Sequence, residues 1–414
     1  MSAERDASRR HRVTPLTAIT TAARRPRAQP SRAERSTLIT TTNSRHVVIV
    51  GGGYAGVRLA RELDADADVT LIDLKEAFFH RVASLRAGAD ADWTFAPFIP
   101  YDSLLVNGRV VRNKAVGVEA EQRRIVLATG HRVPYDVLVI ATGADYQEPA
   151  RFTGTTVTEA AASFRDHQRR IAGARSLLVV GGGPSGVELA AELRRANPRA
   201  AVTLAHSGQR LLSRNGTGRM GRQARSWLER HDVKVLLGTS VSASGGVGTG
   251  LRDQTGGPLD ADVVFWTTGT TPNTLWLRLA GRGDWLDERG HVKVDEHLRV
   301  LGRRDVFAIG DVNDVSEAKL SPSAVAQGEA AAHNIRAYLG HGKHGNVPRP
   351  YRPAPVRAFS VPFGPDGGTT LLPALGHDVL VLGNRATSAL KSRHLGIPAM
   401  RKLLGHTGDV LPAR

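Results

Sequence analysis

The chain of 414 residues contains no cysteine. That absence excludes structural disulfides, thiolate metal sites and any redox-active dithiol. It also lacks an apolar run approaching the ~20 residues of a membrane-spanning helix, and its N-terminus has no hydrophobic core of a secretory signal. Its histidines show no HExxH-type spacing, so no metal site is expected. Acidic residues are scarce relative to basic ones, 39 against 56, for a net charge of +17. The excess sits at the ends. Residues 1–45 carry ten arginines against three acidic residues, and residues 346–414 carry nine basic against three acidic. Basic ends suit an anionic surface or simply solvated tails. An apolar fraction of 41% over this length is enough for two or three buried cores.

Most of the information lies in a motif that occurs twice. HVVIVGGGYAG runs from His46 to Gly56 and LLVVGGGPSGVE from Leu177 to Glu188. Each reads as a buried strand entering a glycine-rich turn that opens an Ala/Leu-rich helix. The spaced glycines, Gly51 and Gly53 or Gly181 and Gly183, permit a tight turn and close approach to a pyrophosphate. Gly56 and Gly186 let helix and strand pack closely, and the helix N-terminus offers free N–H groups to phosphate. One copy would be weak evidence. Two predict a chain that holds two dinucleotides, most economically FAD and NAD(P)H, and so carries out hydride transfer.

Residues 1–44 are rich in Arg, Ser, Thr, Ala and Pro without apolar periodicity and read as a basic disordered extension, with a targeting segment or a start-site artefact as other readings. Beyond them strands and helices alternate, as in an α/β fold with doubly wound parallel sheets. The strand Val69–Ile72 ends in Asp73, 22 residues after Gly51, where this fold places the acid that accepts the ribose hydroxyls. YDVLVIATG ends in Thr142 and Gly143, small enough for backbone to approach the first cofactor. ADVVFWTTGTTPNT, with Gly269, mirrors that layout in the second unit. RRDVFAIGDVNDV, with Asp311, then returns to the first. The expected organisation is an FAD-binding domain at 45–150 and 280–345, an NAD(P)H-binding domain at 151–279 inserted in it, and a C-terminal interface or membrane-surface segment at 346–414.

The motif order resembles the FAD/NAD(P) oxidoreductases of the glutathione-reductase fold. LIDLKEAFFHRVASLRA, VTLAHSGQRLL, AIGDVNDVSEAKLS and the tail through SALKSRHLG narrow the resemblance to apoptosis-inducing-factor-like flavoproteins, the group that includes ferroptosis suppressor quinone reductases. Type II NADH dehydrogenases are more distant. The resemblance implies that Gly51, Gly52, Gly53, Tyr54 and Ala55 line the FAD pyrophosphate with Gly56 behind them. It also implies that Arg86 and Ala115 contact FAD, that Asp311 holds the ribityl or phosphate end, that Glu188 faces the nicotinamide, and that Lys319 stands near the flavin or acceptor.

At the end of the strand Val202–Ala205 no carboxylate is present. His206 and Arg210 stand there instead and could pair with a 2′-phosphate, so NADPH is expected beside NADH. Hydride transfer needs positioning and exclusion of water more than acid–base side chains, so no catalytic triad is expected. Without a dithiol, the electrons must go to an acceptor that reaches the flavin itself, a quinone first. Alternatives are a small iron–sulfur carrier, or a redox-responsive binding protein with structural FAD. A homodimer contact, a cytoplasmic location and peripheral attachment through the basic C-terminal segment complete the expectations, with nucleic acid disfavoured.

Overall fold

The computed structural model describes residues 45–214, 216–243, 250–340, 347–354, 358–374 and 379–407. The basic extension 1–44 and the last residues of the tail lie outside the described residues.

Two parallel sheets organise the chain. The first has five strands in the order Val306–Ala308, Val137–Ile140, His46–Val50, Asp68–Asp73, Arg109–Arg112. The second has four, Val233–Leu237, Ala201–His206, Ser176–Val180, Val263–Trp266. Each glycine-loop strand lies inside its sheet, and its last residue has equivalent neighbours in the two: Val50 opposite Ile72 and Ile140, Val180 opposite Ala205 and Trp266. The internal repeat read from sequence is therefore structural. Strands buried on both faces need continuous apolar runs, and Val47, Val48 and Ile49 are fully buried. The first sheet is completed only at Val306–Ala308, which pairs with Val137–Ile140 after the second sheet has been built.

The first nucleotide helix, Tyr54–Leu63, packs on the strands through Ala55, Val57, Leu59, Ala60 and Leu63. The long helix Ser321–Leu339 crosses it so closely that a Cβ on Gly328 would stand 2.8 Å from the Ala55 carbonyl oxygen. Two antiparallel sheets flank this body. One is the meander Ala115–Glu119, Arg124–Leu127, Arg132–Pro134; the other is formed by Phe359–Phe363, Gly367–Pro373 and Val379–Leu382 near the C-terminus. Phe359, Val361, Phe363 and Leu371 of that last sheet join the apolar core beneath the second nucleotide helix, Pro184–Ala196.

Candidate active site

A cavity of about 1240 Å³ runs along the C-terminal ends of the first sheet. This is where open α/β sheets bind ligands, and the volume exceeds the ~300–1,000 Å³ of a pocket for one small molecule. Among the segments that border it are the first glycine loop, the strand end Ala141–Asp145, the start of the second nucleotide helix, and the C-terminal segment through Phe359, Leu372 and Lys391.

The first loop is built for close backbone approach. Gly51 sits at φ +112°, and a Cβ there would lie 2.3 Å from the Ala141 carbonyl oxygen. A Cβ on Gly56 would lie 1.9 Å from the Gly51 oxygen, so any larger residue would push helix and strand apart. Gly53 is open where a side chain would project, and Gly51, Gly52, Gly53, Tyr54 and Ala55 all border the cavity. Gly52 is held from both sides: its N–H donates to Asp73 Oδ2 and its carbonyl accepts from Tyr101 Oη at 2.8 Å. Asp73 also accepts from the Lys75 backbone N–H at 2.7 Å and pairs with its ammonium at 2.9 Å. The acid expected to meet a ribose therefore also fixes the turn.

Opposite the loop, Thr142 and Gly143 border the cavity and are tied to Asn273: Thr142 Oγ1 donates to the Asn273 carbonyl at 2.8 Å, and the Asn273 N–H donates to the Gly143 carbonyl at 2.9 Å. Ala115 lines the wall nearby. Asp311 Oδ2 accepts a hydrogen bond from Tyr146 Oη at 2.6 Å, and the Arg81 guanidinium stacks 3.9 Å over the Tyr146 ring. Burial and the Asp311 carboxylate hold the Tyr146 phenol well above the ordinary tyrosine range, so it remains a donor. Lys319 borders the cavity, but its ammonium donates to the carbonyls of Asn313 at 2.8 Å and Val315 at 3.3 Å, closing the turn after Asp311.

Glu188, on the first turn of the second nucleotide helix, faces the same cavity as Lys391. Burial pushes its carboxyl up to about 7, with Lys391 pulling the other way. Burial likewise lowers the Lys391 ammonium, whose Nζ donates to the Ser360 carbonyl at 3.2 Å.

The remaining expected residues lie elsewhere. Arg86 is not on the cavity wall. It is 1% exposed, its Nε donates to Glu192 Oε1 at 2.7 Å, and its guanidinium lies 4.6 Å from the Trp93 ring centre. It joins the short helix Arg81–Ala87 to the second nucleotide helix rather than opening on a ligand. Gly181, Gly183 and Gly186 form the second loop, where a Cβ on Gly186 would stand 1.8 Å from the Gly181 oxygen. His206 Nδ1 accepts the Gly182 N–H at 3.1 Å, and burial lowers its pKa, so the neutral ring secures that loop. Arg210 is exposed beside it, with Nη1 3.2 Å from where a Cβ on Gly218 would be. Gly269 lies at φ +77° past the last strand of the second sheet, two residues before Thr271, which borders the cavity. Sequence reasoning missed Lys391, Tyr146 and Arg81; a lone lysine in SALKS and a tyrosine three residues past Gly143 were the available signals.

The cavity fits FAD on this geometry: a glycine face without side chains, a helix N-terminus, and the carboxylates of Asp73 and Asp311 on its wall.

Residues 45–329 match the family of pyridine nucleotide-disulphide oxidoreductases. Among curated relatives, apoptosis-inducing factor homolog B of Dictyostelium discoideum is 29% identical over 86% of this chain and 96% of its own length. Human ferroptosis suppressor protein 1 is 32% identical over 70% of this chain and 80% of its own. Among solved structures, the sulfide:quinone oxidoreductase of Aquifex aeolicus superposes with a TM-score of 0.69 at 18% identity, covering 87% of this chain and 90% of that one, a likeness of fold. The chain belongs to the pyridine nucleotide-disulphide oxidoreductase family and is an FAD-dependent oxidoreductase that works with NAD(P)H.

Proposed function

We propose that the chain passes reducing equivalents from NAD(P)H to a quinone-type acceptor that enters the cavity from its C-terminal side. The observation that carries this reading is the shared cavity of a cysteine-free chain. The first glycine loop, Glu188 of the second nucleotide helix, and Phe359, Leu372 and Lys391 all border one space, with no thiol to relay electrons out of it. On this reading residues 45–150 with 280–345 carry FAD, 151–279 carry the nicotinamide nucleotide, and residues from 346 onward wall the acceptor side.

When bound, FAD supplies acceptance of a hydride and return of the electrons to a second partner. The chain's own residues do the rest. Gly51 to Ala55 would hold the pyrophosphate, Asp73 the ribose, and Asp311, oriented by Tyr146, the ribityl end, with Ala115, Thr142 and Gly143 as further FAD contacts. The second loop, Gly181 to Gly186, binds the nicotinamide nucleotide, and Arg210 beside His206 receives a 2′-phosphate. Trp276, Phe359 and Leu372 keep water from the rings. Glu188, titrating near neutrality, holds a proton for the reduced acceptor, and Lys391 stands against the developing negative charge on its oxygen. Among the described residues no helix is long and apolar enough to cross a membrane. Leu380 and Leu390, both exposed and both preceding Lys391 in the C-terminal segment, support delivery of an apolar acceptor from a membrane surface.

An anaerobic titration tests this. The flavin bands of the holoenzyme should bleach with NADH or NADPH and recover on adding a water-soluble quinone analogue. Faster recovery with ferredoxin or rubredoxin would move the acceptor to an iron–sulfur carrier, and failure of both nucleotides to bleach the flavin would leave it a structural group.

A further inference from the structure

His80 precedes the helix Arg81–Ala87, is 3% exposed, and is not on the wall of the FAD-sized cavity, yet both of its ring nitrogens are engaged. Nε2 lies 2.8 Å from the Leu395 carbonyl oxygen. A carbonyl only accepts, so Nε2 carries the proton and Nδ1 is an acceptor. The Tyr54 hydroxyl, 3.0 Å from Nδ1, is then the donor. The ring is neutral, since burial lowers its pKa to about 4. Phe78 fixes both partners, edge-on to Tyr54 at 5.3 Å and stacked on His80 at 6.4 Å.

The two ends of this relay belong to distant segments: Tyr54 borders the cavity, and Leu395 lies in the C-terminal segment whose Lys391 borders it. Tyr54 is the first residue of the helix that follows the glycine loop. Leu395 lies four residues beyond Lys391 and has φ +51°, a conformation leucine rarely adopts, followed by Gly396 at φ +83°. From that bend the helix Ile397–Leu403 runs back against the first nucleotide helix, and His406 Nε2 lies 2.9 Å from the Pro100 carbonyl oxygen. Packing alone would be served by an apolar side chain at position 80. A buried donor and a buried acceptor on one ring, each matched to a distant segment, serve orientation instead.

We infer that His80 is a positioning residue: it ties Tyr54 at the glycine loop to the C-terminal segment that carries Lys391, so that cofactor binding and the seating of that segment are coupled. The inference rests on FAD lying along the first glycine loop.

The test compares holoenzymes carrying His80→Phe, His80→Gln and Tyr54→Phe. Two quantities are read: the rate of flavin release, from the rise of free-flavin fluorescence on dilution, and amide hydrogen exchange across residues 395–405. Tyr54→Phe removes one hydroxyl and leaves the Leu395 contact in place. It should still speed exchange in that segment about fivefold, the order expected from one lost hydrogen bond, and speed flavin release similarly. His80→Phe should raise both about tenfold or more, and His80→Gln, which keeps one donor and one acceptor on its amide, should restore most of the difference. Exchange unchanged in Tyr54→Phe overturns the coupling. So does a His80→Phe protein with faster exchange but normal flavin release, which would mean that FAD does not lean on Tyr54. If His80→Phe fails to fold, the Tyr54→Phe measurement decides.

Discussion

Tyr146 donates to Asp311 across 2.6 Å, joining the segment that follows the Ala-Thr-Gly strand end to the Gly-Asp turn that completes the first sheet. The two carry opposite requirements: the phenol must remain protonated and the carboxylate charged, and burial beside the carboxylate secures the first. Tyr146→Phe leaves Asp311 without its donor and should weaken FAD retention roughly 5- to 30-fold, or about 1–2 kcal/mol. Asp311→Ala should cost more. Flavin content after extensive dialysis measures both.

Glu188 and Lys391 give the pH dependence a sign. Burial raises the Glu188 carboxyl to about 7, above its ordinary 4.5, and Lys391 opposes that rise. As a proton donor Glu188 is active below that value, so acceptor turnover should fall as pH rises through about 7. Lys391→Met removes the opposing charge and should move the fall to higher pH. Glu188→Gln should abolish the inflection and lower turnover on the order of 10²-fold. An inflection that survives Glu188→Gln would assign it to another group.

Arg86 separates a structural role from a cofactor role. With its guanidinium buried against Glu192 and Trp93, Arg86→Met leaves the buried Glu192 carboxylate with only the longer 3.5 Å pairing to the half-exposed Arg195, and should cost up to about 3–5 kcal/mol of stability. Arg86→Met with Glu192→Met should recover much of that loss. Thermal unfolding measures the stability, and flavin bound per folded molecule should stay at the wild-type level in the double variant. A colourless but stable double variant would return Arg86 to the cofactor.

Arg210 is expected to set donor choice. It is exposed at the end of the strand Ala201–His206, where no carboxylate stands. Arg210→Ala should lower kcat/KM for NADPH about tenfold and leave NADH nearly unchanged. Equal losses for both nucleotides would place Arg210 outside the 2′-phosphate contact.

How much of this was legible in the sequence depended on whether a role is fixed locally. The glycine loops, Asp73 and the repeated sheet follow from short-range spacing, because strand, turn and helix are neighbours in the chain. Glu188 came from the resemblance rather than from spacing, and it borders the cavity because it lies near the start of the helix Pro184–Ala196. Lys391 reaches the cavity only through the folding of the C-terminal segment, and Tyr146 meets Asp311, and Arg81 the Tyr146 ring, only through tertiary packing. Arg86 shows the converse. The resemblance implies an FAD contact, while the side chain is buried against Glu192 on a neighbouring helix, a pairing that no spacing reveals. His206 lay where the strand pattern put it, yet its Nδ1 caps the Gly182 N–H, a use that no spacing reveals.

The order of strands in the first sheet also dictates how the molecule can be made. His46–Val50 is synthesised early, but the strand that completes its sheet, Val306–Ala308, emerges from the ribosome only after the whole second sheet, whose strands lie between Ser176 and Trp266. The second sheet can close as soon as its last strand appears, while the first must wait with the Val137–Ile140 edge unpaired. A nascent chain arrested between those points would present an apolar strand edge to the cell, and chaperone demand should be concentrated in that interval of synthesis.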